Sequence, residues 1–117
     1  MTGSNQQEPF QRISAEQAKE MIDRGDVQPI DVRRRYEWAQ AHIREAILIP
    51  VDDLFGRVDE VSEDQPVIFH CAMGVRSALA CEMAAAMGLG SDRLYNIEAG
   101  TGDWIAAGHP TSVGDEA

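Results

Sequence analysis

The chain has 117 residues, a 44% hydrophobic composition and a formal net charge of −10, from twenty acidic against ten basic side chains. That length suits one domain. So acidic a chain, with Lys19 its only lysine, is a poor match for nucleic acid or an anionic membrane surface, which ask for clustered Lys and Arg. No stretch reaches the roughly 20 apolar residues needed to cross a bilayer, and residues 1–9 lack the pattern of a secretory signal, so the cytoplasm is the expected compartment.

Residues 1–8 and 111–117, rich in small and polar side chains, are expected to be loose tails around one domain over 9–110. Residues 10–13 read as a short edge strand. Ser14 then caps a helix over 15–24, with Gln17 completing a capping box and Gly25 as the stop. Residues 27–32 form a strand in which Pro29 favours the strand start or a sheet edge. Residues 34–41 are helical, with Tyr36 and Trp38 near the start of that helix, and 46–49 form a strand stopped by Pro50; Tyr36 and Trp104 are expected to be core or rim aromatics. Residues 51–58 are amphipathic, with Leu54, Phe55 and Val58 at helical spacing.

The strongest strand is 66–70, Pro-Val-Ile-Phe-His, a continuous apolar run of the kind buried on both faces of a parallel sheet. A loop over 71–76 leads into an alanine-rich helix over 77–87, ended by Gly88 and Gly90. A strand over 93–97 and a helix over 101–107 complete the alternation. Strands alternating with helices predict an α/β fold with a mainly parallel sheet and right-handed crossovers.

The chemistry concentrates in His70-Cys71-Ala72-Met73-Gly74-Val75-Arg76-Ser77. A cysteine directly after the most buried strand and before a helix lies beyond a carboxyl end of the sheet, where ligands bind in such folds. Gly74 permits a tight turn, the loop amides can converge as an anion nest, the helix dipole adds positive potential, and Arg76 adds a full charge. All of these favour a thiolate over a thiol, against a free-cysteine pKa of about 8.5. The same donors suit a persulfide anion one sulfur further out. The competing reading of Cys71 is a small buried hydrophobe; its place before a glycine loop and an arginine favours function. Cys81, on an apolar helix face with Ala78, Ala84 and Ala85, reads as packing. The two cysteines form neither a disulfide framework nor a zinc site, no His, Cys and carboxylate group has metal spacing, and no cofactor is implied.

This loop resembles the active-site loop of rhodanese domains: a cysteine, four residues including a glycine, then arginine and a small hydroxyl residue. Asp31-Val32-Arg33 with Glu37-Trp38 and Ala41-His42-Ile43 is similar to that family's first signature. Residues 46–50 resemble the strand that follows it, and Gly100 through Trp104 with Gly108-His109-Pro110 resemble the closing signature. The likeness runs in one order over roughly 13–110; Ala41, Glu45 and Ala99 stand where the family usually has glycine. It implies a three-layer fold with a central, mainly parallel five-stranded sheet flanked by helices. It also implies a sulfurtransferase in which Cys71 carries sulfur from a small donor, such as thiosulfate or a persulfide, to a thiol, cyanide or protein acceptor. Ala72, Met73, Gly74, Val75, Arg76 and Ser77 would bind substrate, Arg76 neutralising anionic donor groups. Asp31, Arg33 and Glu37 would brace the loop.

Neighbours on a strand face opposite ways, so His70 is not expected to act as a base for Cys71. His42, after a helix, is expected to satisfy backbone groups at its end, and Arg33–Arg35 to be a solvated helix start. Two alternatives stand beside sulfur transfer. A phosphatase or arsenate reductase also needs a thiolate in an amide nest, but rhodanese-like phosphatases resemble this chain with five residues between cysteine and arginine, not four. A regulatory binding module is the other.

Overall fold

Val67–His70 has all four residues buried and forms the middle strand of the sheet. Side chains alternate across a strand, so Val67 and Phe69 join one apolar cluster and Ile68 the other. Each such side chain contributes roughly 1.5–3 kcal/mol on burial, which makes this strand the backbone of both cores.

The computed structural model describes residues 8–116. In chain order the elements are β1 (Gln11–Ile13), α1 (Ala15–Arg24), β2 (Gln28–Asp31), α2 (Arg35–Gln40), β3 (His42–Ile43), β4 (Ile47–Leu48), β5 (Val67–His70), α3 (Val75–Ala86), β6 (Leu94–Ile97), α4 (Thr101–Ala106) and β7 (Thr111–Ser112). Short 3-10 turns at Val51–Asp53 and Phe55–Glu60 link β4 to β5. The main sheet has the order β1-β6-β5-β2-β4, all parallel. Ala80, Cys81 and Ala84 of α3, with Leu54, cover one face; Ala15 and Ala18 of α1, Trp38 and Trp104 cover the other. This is the expected α/β arrangement with a central five-stranded sheet between helical layers.

Local chemistry explains the boundaries. Ser14 accepts from Gln17 N–H while the Gln17 side chain accepts from Ser14 N–H, and Gly25 closes α1 at φ 79°. Pro29 sits inside the sheet and is tolerated because of strand parity. Gln28 N–H donates toward β5, so the missing N–H of Pro29 would face β4, which begins only opposite Ile30.

The structure departs from the sequence reading in four places. α3 starts at Val75 rather than Ser77, with Gly74 at φ 88° as its N-cap, so Val75 and Arg76 belong to its first turn. Residues 51–58 form 3-10 turns that bury Leu54 and leave Phe55 66% exposed. The ribbon β3–β7 has no strand-length apolar run to announce it; it is made by antiparallel pairing of His42 with Ser112 and Ile43 with Thr111.

The fourth is the stretch 111–116, which composition suggests is loose. Beyond β7, Gly114 N–H donates to Ala39 O and a ring nitrogen of His42 bonds Glu116 O. The other His42 nitrogen bonds Trp38 O at 2.8 Å, and the ring stacks on Trp38 at 3.4 Å, so His42 does satisfy the end of α2. Of the expected N-terminal tail, residues 1–7 lie outside the described residues; Glu8 is ion-paired with Arg12.

Candidate active site

β5 ends at His70, and the chain turns sharply into α3, which places Cys71 at the carboxyl edge of the sheet beneath a helix N-terminus. Its sulfur accepts hydrogen bonds from Gly74 N–H at 3.1 Å and Ser77 N–H at 3.4 Å, and lies 3.3 Å from Ser77 Oγ. Burial by itself pushes the Cys71 thiol pKa up. The Ser77 hydroxyl and the backbone N–H groups of Ser77, Met73 and Gly74 outweigh it and hold the thiol below an ordinary cysteine's range. Cys71 is only 1% exposed and belongs to the apolar cluster beneath α3, but its sulfur lies against N–H donors.

The loop is clamped from β6 and the turn after it. Cys71 O accepts from Thr101 N–H at 2.8 Å and Thr101 Oγ at 3.0 Å, and Thr101 Oγ in turn bonds His70 Nδ1 at 3.2 Å. Thr101 has one hydroxyl hydrogen, given to Cys71 O, so His70 Nδ1 is the donor to Thr101. Asn96 donates to Gly74 O at 3.2 Å and accepts from Ser77 Oγ. At Gly74 an added Cβ would stand 2.2 Å from Glu98 O, and at Gly100 2.1 Å from Ala72 O. Both glycines also have positive φ, 88° and 84°. Two backbones thus touch where side chains would separate them, and that contact aims the amides at Sγ.

Asn96 and Thr101 were missing from the sequence reading as site residues. Asn96 carries a signal in retrospect: it is an amide within the apolar strand Leu94–Ile97, and it is fully buried. A buried amide needs several hydrogen-bond partners, and here two belong to the sulfur loop. Thr101 had only its place after Gly100.

The expected braces separate into two. Asp31 takes both Arg33 Nε and Nη2, at 2.9 and 2.7 Å, and Arg33 also donates to Ala41 O; this pair is buried and ties β2 to the end of α2. Arg33 is therefore no part of a solvated cluster. Glu37 accepts from both Arg76 guanidinium nitrogens at 2.8 and 3.0 Å. These bonds, opposed by partial burial and aided by Arg34 N–H, bring the Glu37 pKa down to about 2. The expectation that Arg76 offers a free positive charge to an anionic donor is corrected accordingly: starting α3 at Val75 turns Arg76 toward α2, and its charge is spent on Glu37. Of the other loop residues, Met73 and Val75 are 79% and 76% exposed and rim the site with apolar surface. Ala72 contributes its carbonyl to the contact with Gly100.

His70 and Cys81 do not join the sulfur. His70 is fully buried on the opposite face; burial, against the pull of Asp31, lowers its pKa to about 4, so it is neutral. Cys81 is buried in α3, and burial pushes its thiol far up. Both cysteines are free thiols, and no group of His, Cys and carboxylates that could hold a metal occurs among the described residues.

Residues 14–107 match the model of the rhodanese-like domain. The chain is 32% identical over 104 residues to thiosulfate sulfurtransferase GlpE of Actinobacillus pleuropneumoniae serotype 7, covering 88% of this chain and 94% of that protein. It is 31% identical over 93 residues to a sulfurtransferase of Allochromatium vinosum, covering 80% and 85%. Among solved structures, a rhodanese-related protein from Thermoplasma volcanium superposes with a TM-score of 0.78 at 29% identity, covering 88% of this chain and 98% of that one.

Proposed function

The chain belongs to the rhodanese-like domain family, and on that footing we propose that it is a sulfurtransferase working through a Cys71 persulfide. The observation that carries this reading is the set of donors converging on Cys71 Sγ, with no base needed to ionise it.

The reaction is two displacements at sulfur. The Cys71 thiolate attacks the outer sulfur of the donor; a Cys71 S–S bond forms as the donor's own S–S bond breaks. The leaving group keeps the electron pair, as sulfite from thiosulfate or as a thiolate from a persulfide. An acceptor nucleophile, cyanide or a thiolate, then attacks the outer sulfur and returns the Cys71 thiolate. Oxidation levels balance without a cofactor. The fixed amides favour the anion in both states and do not reorganise during transfer. Ser77 has one hydroxyl hydrogen: it points to Asn96 when Cys71 is a thiol and turns to Sγ when the thiolate forms.

Intact mass after incubation with thiosulfate or a persulfide donor tests this. The expected result is a gain of one sulfur, reversed by cyanide and absent in Cys71→Ser. No uptake from any donor would instead favour a binding module built on the same fold.

A further inference from the structure

With Arg76 engaged by Glu37, the sulfur loop has no free cation of its own. A groove of about 270 Å³ beside it does. Val32 lines the groove, and its N–H donates to His70 O at 2.9 Å, next to Cys71 in the chain. Arg76 and Leu79, from the helix whose N-terminus holds the sulfur, line it together with Val51 and Asp52. Arg34 lines the same groove.

The charges there are unspent. Arg35 pairs with Asp115 and Arg33 with Asp31, whereas the exposed Arg34 side chain has no ion-pair or hydrogen-bond partner among the described residues. Asp52 is likewise exposed and unpaired among them, and the two do not bond each other although they share the groove. An unpaired guanidinium, an unpaired carboxylate and the apolar side chains of Val51 and Leu79 line the same groove, and together they complement a ligand with a carboxylate, an ammonium and a short aliphatic body. Drug-sized ligands occupy roughly 300–1,000 Å³; this groove suits an amino acid.

We propose that Arg34 and Asp52 recognise the non-reacting end of the sulfur donor, and that the donor is an amino-acid persulfide of the cysteine type. The inference rests on the sulfurtransferase reading and names its substrate class. Arg34 takes the carboxylate through a forked pair of N–H bonds, and Asp52 takes the ammonium. The Cys71 thiolate attacks the outer sulfur, the donor S–S bond breaks, and the inner sulfur leaves as a thiolate that takes a proton from water. Thiosulfate can use Arg34 but has no cation for Asp52, which repels it.

Steady-state transfer to cyanide is measured with cysteine persulfide and with thiosulfate, for the wild type, Arg34→Gln, Arg34→Lys and Asp52→Asn. For cysteine persulfide, Arg34→Gln is expected to raise KM about tenfold or more, with most of the effect in KM rather than kcat and partial rescue by Arg34→Lys. Asp52→Asn is expected to raise KM for cysteine persulfide and lower it for thiosulfate. Unchanged KM for cysteine persulfide in both variants overturns the proposal, as does an equal response of the two donors to Asp52→Asn. A second measurement separates this from the chemistry of Cys71. S-methylcysteine has the same charged end and no transferable sulfur; its binding is followed by NMR shifts of Val51 and Leu79. Shifts lost in Arg34→Gln support the groove even if Cys71 accepts no sulfur, and their absence in the wild type overturns it even if Cys71 does.

Discussion

Arg76 and Glu37 meet in a two-bond pair at 2.8 and 3.0 Å, joining α3 to α2 across 39 positions of sequence. The pair holds the helix that presents the amides to Cys71, and it engages the cation that the sequence placed at the site. Replacing Glu37 by Gln keeps the shape and frees the charge. The expected outcome is a fall in KM for thiosulfate of a few-fold, with a stability loss of about 1–2 kcal/mol, read by steady-state kinetics and urea unfolding.

Acid should destabilise the protein in two overlapping steps. As pH falls below 6.5 the unfolded chain protonates at His70, whereas the folded one does so only near 4; stability present above 6.5 therefore drains between 6.5 and 4. Glu37, about 2 folded against 4.5 unfolded, likewise contributes stability above 4.5 that is lost as pH falls toward 2. Each step is worth at most on the order of 3 kcal/mol. Urea midpoints measured across this range should fall throughout, and His70→Asn, which keeps a donor for Thr101, should abolish the upper step only.

The Ser77 hydroxyl is the largest single influence lowering the Cys71 pKa, after the opposing burial effect. Ser77→Ala should raise the thiol pKa, because one of the donors favouring the thiolate is lost. The pH dependence of iodoacetamide alkylation reads this directly, and a midpoint that does not move would show that the backbone donors suffice.

The contact at Gly100 should be intolerant of any side chain. Gly100→Ala puts a Cβ 2.1 Å from Ala72 O and 2.9 Å from Cys71 O at a φ of 84°, so about 3 kcal/mol or more of stability should be lost, with slower persulfide formation. Gly102→Ala is the control: its Cβ meets nothing within 4 Å inside α4, and it should stabilise by about 0.5–1 kcal/mol. Thermal unfolding of the two variants should shift in opposite directions.

Native alkylation should stop at one thiol. Cys81 is fully buried with its thiol pushed far up, so only Cys71 should react below the unfolding concentration of urea, and peptide mapping of the modified chain checks this.

Local patterns determined much of this protein by themselves. The apolar run of β5, the capping box at Ser14 and the alternation of elements follow from short-range rules, and they suffice for a parallel α/β sheet with Cys71 at its carboxyl edge. Gly74 announced the turn that brings the amides round. What needed tertiary structure were the contacts between residues far apart in the chain. Asn96 and Thr101 are polar residues of other elements until β6 pairs with β5 and brings them onto the loop. The β3–β7 ribbon exists only because the chain returns to His42. The charge at the site was decided last. Three arginines in a row are alike in sequence, and Arg76 is nearest the sulfur; packing gives Arg33 to Asp31, Arg35 to Asp115 and Arg76 to Glu37, and leaves Arg34 in the groove without a side-chain partner among the described residues. Which charge stays free depends on which carboxylates the fold brings within reach, and ion pairing falls off over a few ångströms that chain position alone does not specify.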